Sequence, residues 1–108
     1  IDYKTCSWGW DLEKKNDPMT NYQLTLYKHF FSKIRAVDPK MVETHFALLK
    51  RTAKKDNVEL FRITSGPKKV ENALKILNNA VHNITNNNFP KNKLNCKNCE
   101  FYKTEDCQ

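Results

Sequence analysis

The feature that most confines this sequence is a run of apolar residues behind Ser65-Gly66-Pro67. Val70, Ala73, Leu74, Leu77, Val81 and Ile84 recur at spacings of three and four, which predicts an amphipathic helix with one stripe to bury. Pro67 suits the first turn of such a helix, and Ser65-Gly66 stops whatever comes before it. The preceding segments have a different period. Residues 42–52 alternate loosely through Val42, Thr44, Phe46 and Leu48, and residues 58–64 are rich in β-branched and aromatic side chains. Residues 53–57 between them are polar and turn-like, so an antiparallel hairpin is predicted. A hairpin and a striped helix bury each other's apolar faces, which points to an α/β fold, a mixed sheet with packed helices.

Composition sets the scale. A chain of 108 residues is one domain in length, and 39% hydrophobic residues suffice for a modest core. At this size about two-thirds of the unfolded surface is buried, so the margin of stability is thin. No apolar run approaches the roughly 20 residues of a membrane helix, and no signal-peptide pattern opens the chain. No membrane partner is therefore expected. Lys and Arg number 19 against 12 Asp and Glu, a net charge of +7 that favours polyanionic partners, nucleic acid first.

The rest of the chain reads as follows. Residues 1–5 have the pattern of a strand already in progress, so the chain is expected to be the C-terminal part of a larger protein. Residues 7–18, with Trp8-Gly9-Trp10 and mixed charge, read as a loop. Thr20 and Gln23 have capping-box spacing, and Gln23, Tyr27, Phe30, Phe31 and Ile34 share one side of the helix they open, with Leu24 beside them. Asp38-Pro39 closes that helix. After Thr85 the pattern fails, and a polar connection leads to Cys96-x-x-Cys99 and Cys107. The expected organisation is a single domain, residues 1–108, with a core portion over 1–88 and a cysteine-bearing tail over 89–108.

Three groups of residues could carry chemistry. Asp2 and Lys4 lie two apart on a strand and so project to one side, where a carboxylate can bind a hard cation and an ammonium can stabilise phosphorane charge. The same pair can also be a surface ion pair of little consequence. Gln23 and Tyr27 lie one helical turn apart and can position a lysine or meet a phosphate; equally they suit a boundary glutamine and a core tyrosine. Cys96 and Cys99 have the spacing of a chain turning round a metal or cluster, with Cys107 as a third thiolate; disulfides or idle thiols are the other readings. Trp8 could stack on a base or pack on its own domain. Lys50-Arg51 and Lys54-Lys55 at the hairpin turn could touch phosphates or simply be solvated.

Taken in order, Ile1-Asp2-Tyr3-Lys4-Thr5, Gln23-x-x-x-Tyr27 and the terminal Cys96-x-x-Cys99…Cys107 series resemble the PD-(D/E)XK nuclease superfamily, in its RecB-like and Cas4-like branch. The resemblance spans the chain from end to end. It implies a partial restriction-endonuclease-like fold and a Mg²⁺- or Mn²⁺-dependent deoxyribonuclease, an exonuclease of DNA repair, recombination or phage DNA metabolism. Asp2 would hold the metal, joined by the Tyr3 backbone carbonyl, and Lys4 would be the catalytic lysine. Gln23 and Tyr27 would support Lys4 and meet DNA, with Trp8, Lys50 and Arg51 as further nucleic-acid contacts. Cys96, Cys99 and Cys107 would hold a 4Fe-4S cluster, with zinc as the alternative. Earlier acidic residues of the family pattern have no counterpart here, as expected of a C-terminal part. Implied partners are DNA and a helicase or recombination protein, and the implied location is the cytoplasm, of the host cell if phage-encoded. The rival reading is a non-enzymatic nucleic-acid-binding module with a structural zinc on the C-terminal cysteines.

Overall fold

The computed structural model describes residues 1–107. In chain order the elements are β1 (Asp2–Cys6), α1 (Leu12–Asn16), α2 (Pro18–Arg35), a 3-10 turn (Pro39–Met41), β2 (Thr44–Lys50), β3 (Val58–Ile63), α3 (Pro67–Thr85) and a second 3-10 segment (Lys93–Asn98). The chain forms two compact units, Ile1–Asn78 and the residues from Asn79 onward, the division falling within α3. No helix among the described residues is long and apolar enough to cross a membrane.

The first unit is a mixed α/β fold built on a three-stranded sheet in the order β1-β2-β3. β2 and β3 are the expected antiparallel hairpin, with Leu48 opposite Glu59, and β1 lies parallel to β2, with Lys4 opposite Leu48. A parallel pair needs a long crossover, and α1 and α2 supply it. The core sits between α2 and the sheet. Leu24 of α2, Phe46 of β2 and Ile63 of β3 meet there, with Trp10 and Phe61 packed against them. Trp10 lies 5.3 Å from the Phe46 ring and 5.9 Å from Phe61, and fills the end of the core in tilted and edge-on contacts.

Four details depart from the sequence reading. The strand at the start is Asp2–Cys6, and the hairpin strands are shorter than the segments 42–52 and 58–64. The stretch 7–18 is not all loop. Asp11 caps α1 by accepting from the Lys14 N–H at 2.8 Å, which closes a single turn with no apolar stripe to announce it. α2 begins earlier than Thr20. Asp17 is its N-cap, accepting from the Thr20 N–H at 2.8 Å and the Thr20 hydroxyl at 2.5 Å, with Pro18 in the first turn. Thr20 is therefore a capped residue, and Gln23 is released for other work.

The fourth departure concerns which side of α2 is covered. Asn21, Leu24, Thr25 and Ser32 are buried, while Tyr27, Phe30, Phe31 and Ile34 are exposed. Thr25 can be buried because its hydroxyl is satisfied twice, donating to the Asn21 carbonyl at 3.2 Å and meeting the Ser65 hydroxyl at 2.9 Å. α2 ends at Arg35, ahead of Asp38-Pro39. Ala36 adopts a left-handed conformation, φ 51°, and the Val37 N–H returns to the Ser32 carbonyl at 3.0 Å, a Schellman-like stop.

α3 occupies the predicted span. Ala73 is buried, Val70, Leu74 and Leu77 are half-buried, and Val81 and Ile84 are exposed. In the second unit, Asn92 caps the Lys93–Asn98 turn by accepting from the Leu94 N–H at 3.2 Å.

Candidate functional site

The alternation of β1 sorts its side chains. Asp2, Lys4 and Cys6 are half-buried, and Tyr3 and Thr5 project to the other face and are exposed. Lys4 faces the core side, its ammonium 5.9 Å from the centre of the Phe46 ring. From there it donates to Gln23 Oε1 at 2.9 Å, and Gln23 Nε2 in turn donates to Tyr27 Oη at 3.0 Å. Lys4 Nζ also lies 3.1 Å from Asp2 Oδ2. Asp2, Lys4, Gln23 and Tyr27 thus form one continuous polar row, with two members from β1 and two from successive turns of α2.

The direction of this row follows from elementary donor chemistry. An ammonium can only donate, so the amide of Gln23 must turn its oxygen to Lys4 and its nitrogen to Tyr27. The Tyr27 oxygen is then the acceptor, and its own proton is left to point away from the row. The register of α2 set by Asp17 and Pro18 brings Gln23 opposite Lys4.

Asp2 has a second distinctive property. Its Oδ2 is shielded from water and lies within ion-pair reach of Lys4, yet off the line that a hydrogen bond requires, so it has no hydrogen-bond partner. An orphaned buried carboxylate oxygen is chemically suited to a hard divalent cation. It is also a partial donor set. Among the described residues no three His, Cys, Asp or Glu side chains converge as metal ligands do.

The same statement covers the tail, where Cys96, Cys99 and Cys107 are free thiols. Cys96 is half-buried within the Lys93–Asn98 turn, and the Cys99 N–H returns to the Cys96 carbonyl at 3.1 Å. That bond places the two thiols on successive turns of backbone. Cys107 is exposed and its N–H donates to the Thr104 carbonyl at 3.1 Å.

The remaining candidates separate into anchored and free groups. Lys50 is tied down: its ammonium pairs with Glu59 Oε2 at 3.2 Å, and Lys15 pairs with the other oxygen of Glu59. The stem of Lys50 passes so close to Gly9 that a Cβ there would sit 3.3 Å from its Cε, at a φ of 121°. The Glu59 carboxyl is held below the usual glutamate range, first by the hydrogen bond from Lys15 and then by that from Lys50. Glu43 is held low in the same sense by His45 and then Arg62. Arg51 is exposed, and only its backbone is fixed, by a 2.8 Å bond from its N–H to the Cys6 carbonyl. Trp8 is 75% exposed, in contrast to Trp10 two residues on.

Glu59 and Lys15 did not stand out in the sequence, being 44 residues apart. The signal that could have found Glu59 is the alternation along β3, which puts it on the same side as Phe61 and Ile63; an acid on a core face needs a cation, and no local window says which lysine supplies it. No family model matches the chain, and neither the curated proteins nor the solved structures contain a match to it.

Proposed function

We propose that this chain belongs to a metal-dependent DNA nuclease of the PD-(D/E)XK type, with a partial restriction-endonuclease-like fold. The observation that carries the reading is the polar row itself: an acid and an amine side by side on β1, with the amine held by a glutamine that is held in turn by a tyrosine. The reaction is phosphodiester hydrolysis, in which a water oxygen bonds to phosphorus as the bond to the leaving oxygen breaks.

Asp2 Oδ2, with the Tyr3 carbonyl, would hold Mg²⁺ or Mn²⁺, together with a carboxylate not gathered among these residues. Bound there, the ion supplies water activation and neutralisation of the scissile phosphate. Lys4 brings a fixed positive charge to the oxygens that gain charge in the transition state. Gln23 keeps that ammonium from collapsing fully onto Asp2 by offering a second acceptor. Tyr27 presents its hydroxyl proton to a non-bridging phosphate oxygen. Cys96, Cys99 and Cys107 would be three ligands of a 4Fe-4S cluster, or of zinc. DNA is the substrate, a helicase or recombination protein a partner, and the cytoplasm the place of action.

The test uses the full-length protein, Mg²⁺ and labelled DNA. Lys4→Ala is expected to lower the cleavage rate by about 10²–10³, the usual loss when one preorganised charge-stabilising donor is removed. Cleavage as fast as that of the wild type overturns the mechanism.

A further inference from the structure

The first unit contains a second constellation that the cleavage chemistry leaves unused. Immediately after β1 the chain carries Trp8, and at the far end of β2 it carries the basic turn of Arg51, Lys54 and Lys55. Three hydrogen bonds tie these segments together. The Cys6 carbonyl accepts from the Arg51 N–H at 2.8 Å, and the Ser7 carbonyl accepts from the Thr52 N–H at 3.2 Å and the Thr52 hydroxyl at 2.5 Å. The turn is braced within itself as well. The Lys50 N–H donates to the Asn57 carbonyl at 2.7 Å, and Asn57 Nδ2 donates to the Ala53 carbonyl at 2.8 Å. The segments that bear an exposed indole and a basic turn are therefore held side by side.

Its electrostatics are equally uneven. Lys50 is neutralised by Glu59, but Arg51, Lys54 and Lys55 form no ion pair among the described residues, and Asp56 is the only acid in the turn. An unneutralised cation group beside a largely exposed tryptophan is the composition of a site for an unpaired nucleic-acid strand, in which phosphates meet the cations and a base stacks on the ring. Stacking needs a base face, and a duplex offers one only at its ends. Trp10, two residues on, shows what the same side chain does when the core claims it.

We infer that Trp8, Arg51, Lys54 and Lys55 bind an unpaired DNA strand, with one base on Trp8 and successive phosphates on the hairpin turn. From Lys4 to Ser7 the chain advances about 10 Å along the strand direction, so the bound segment lies within a few nucleotides of the Asp2–Lys4 pair. This makes the substrate class single-stranded DNA or a frayed end. That last step rests on the nuclease reading; binding to the strand does not.

The experiment measures binding of a fluorescein-labelled thymidine oligonucleotide to the full chain by anisotropy, in EDTA so that no cleavage intrudes. Trp8→Ala is expected to weaken binding roughly five- to a hundredfold, and Trp8→Phe to restore most of it. Replacing Arg51, Lys54 and Lys55 by Ala should lower the slope of log affinity against log salt by about 2. The inference is overturned if Trp8→Ala binds as the wild type does, or if it weakens binding of an internal duplex segment as strongly as that of the single strand. Should Trp8 prove essential for binding while Lys4→Ala cleaves normally, the nuclease reading falls and the strand site stands. Should Lys4 prove essential for cleavage while Trp8 is silent in binding, the reverse holds.

Discussion

The two compact units of this chain are ordered by different kinds of contact. In the first, side chains far apart in sequence find each other: Lys4 and Gln23 across 19 residues, Thr25 and Ser65 across 40, Lys15 and Glu59 across 44. In the second, hydrogen bonds such as Asn88 to Asn83, Asn98 to Asn95 and Thr104 to Phe101 reach only a few residues along the chain. Phe89 and Phe101 are exposed, and Leu94 is 99% exposed. A segment with such local bonds, and with no buried apolar residue among those described, gains little from folding to offset its lost chain entropy. The first unit can be held by its core; the second needs another source of order, and under the proposed function the cysteine-bound metal is that source.

The largest expected effect tests the first half of this contrast. Phe46 is fully buried and its ring meets both Trp10 and Phe61, so Phe46→Ala should cost about 3–5 kcal/mol and unfold the first unit cooperatively. Denaturant titration followed by the fluorescence of Trp10 measures it. A loss below 1 kcal/mol would mean that the core does not hold this unit.

The next effect tests the second half. The Cys96→Ser/Cys99→Ser variant should lose its iron and sulfide, or its zinc, and its tail should be cut by protease well before that of the wild type. Denaturation of the first unit should be unchanged. A metal-free wild type with the same cleavage pattern as the variant would remove the metal from the account. Iron with sulfide favours the nuclease branch, and zinc alone favours the non-enzymatic binding module.

The smallest effect is electrostatic and belongs to the first unit. The Glu59 carboxyl titrates below its unfolded value, so its contribution is complete above the ordinary glutamate range near 4.3 and is lost as pH falls through the lower native value. For a partly exposed ion pair that contribution is about 0.2–1 kcal/mol. Glu59→Gln should therefore lower stability by that amount near neutrality and leave it unaltered once the pH is below the native titration of Glu59. An equal loss at every pH would show that packing, not charge, ties Lys15 and Lys50 to β3.

What could be read in advance follows the same division between near and far. The hairpin, the stripe of α3 and the shared side of Asp2 and Lys4 all express periodicities of two or 3.6, so short windows of sequence contain them. α1 escaped because a five-residue turn held by the Asp11 side chain has no stripe to detect. The covered side of α2 escaped because Asn21, Thr25 and Ser32 are polar, and burying them depends on partners such as Ser65 that no local window includes. The parallel pairing of β1 with β2 is likewise a fact about distant residues. Gln23 and Tyr27 were legible as neighbours on a helix; that Lys4 would meet them came from resemblance rather than from spacing.

The Lys4–Gln23–Tyr27 row is polarised from one end to the other. Because the ammonium dictates which way the amide faces, the phenol at the end of the row accepts from Gln23 on its inner side and keeps its own hydrogen to offer outward. That outward hydrogen suits an oxyanion. A lysine several residues away in space thus sets the chemical taste of a hydroxyl it never touches.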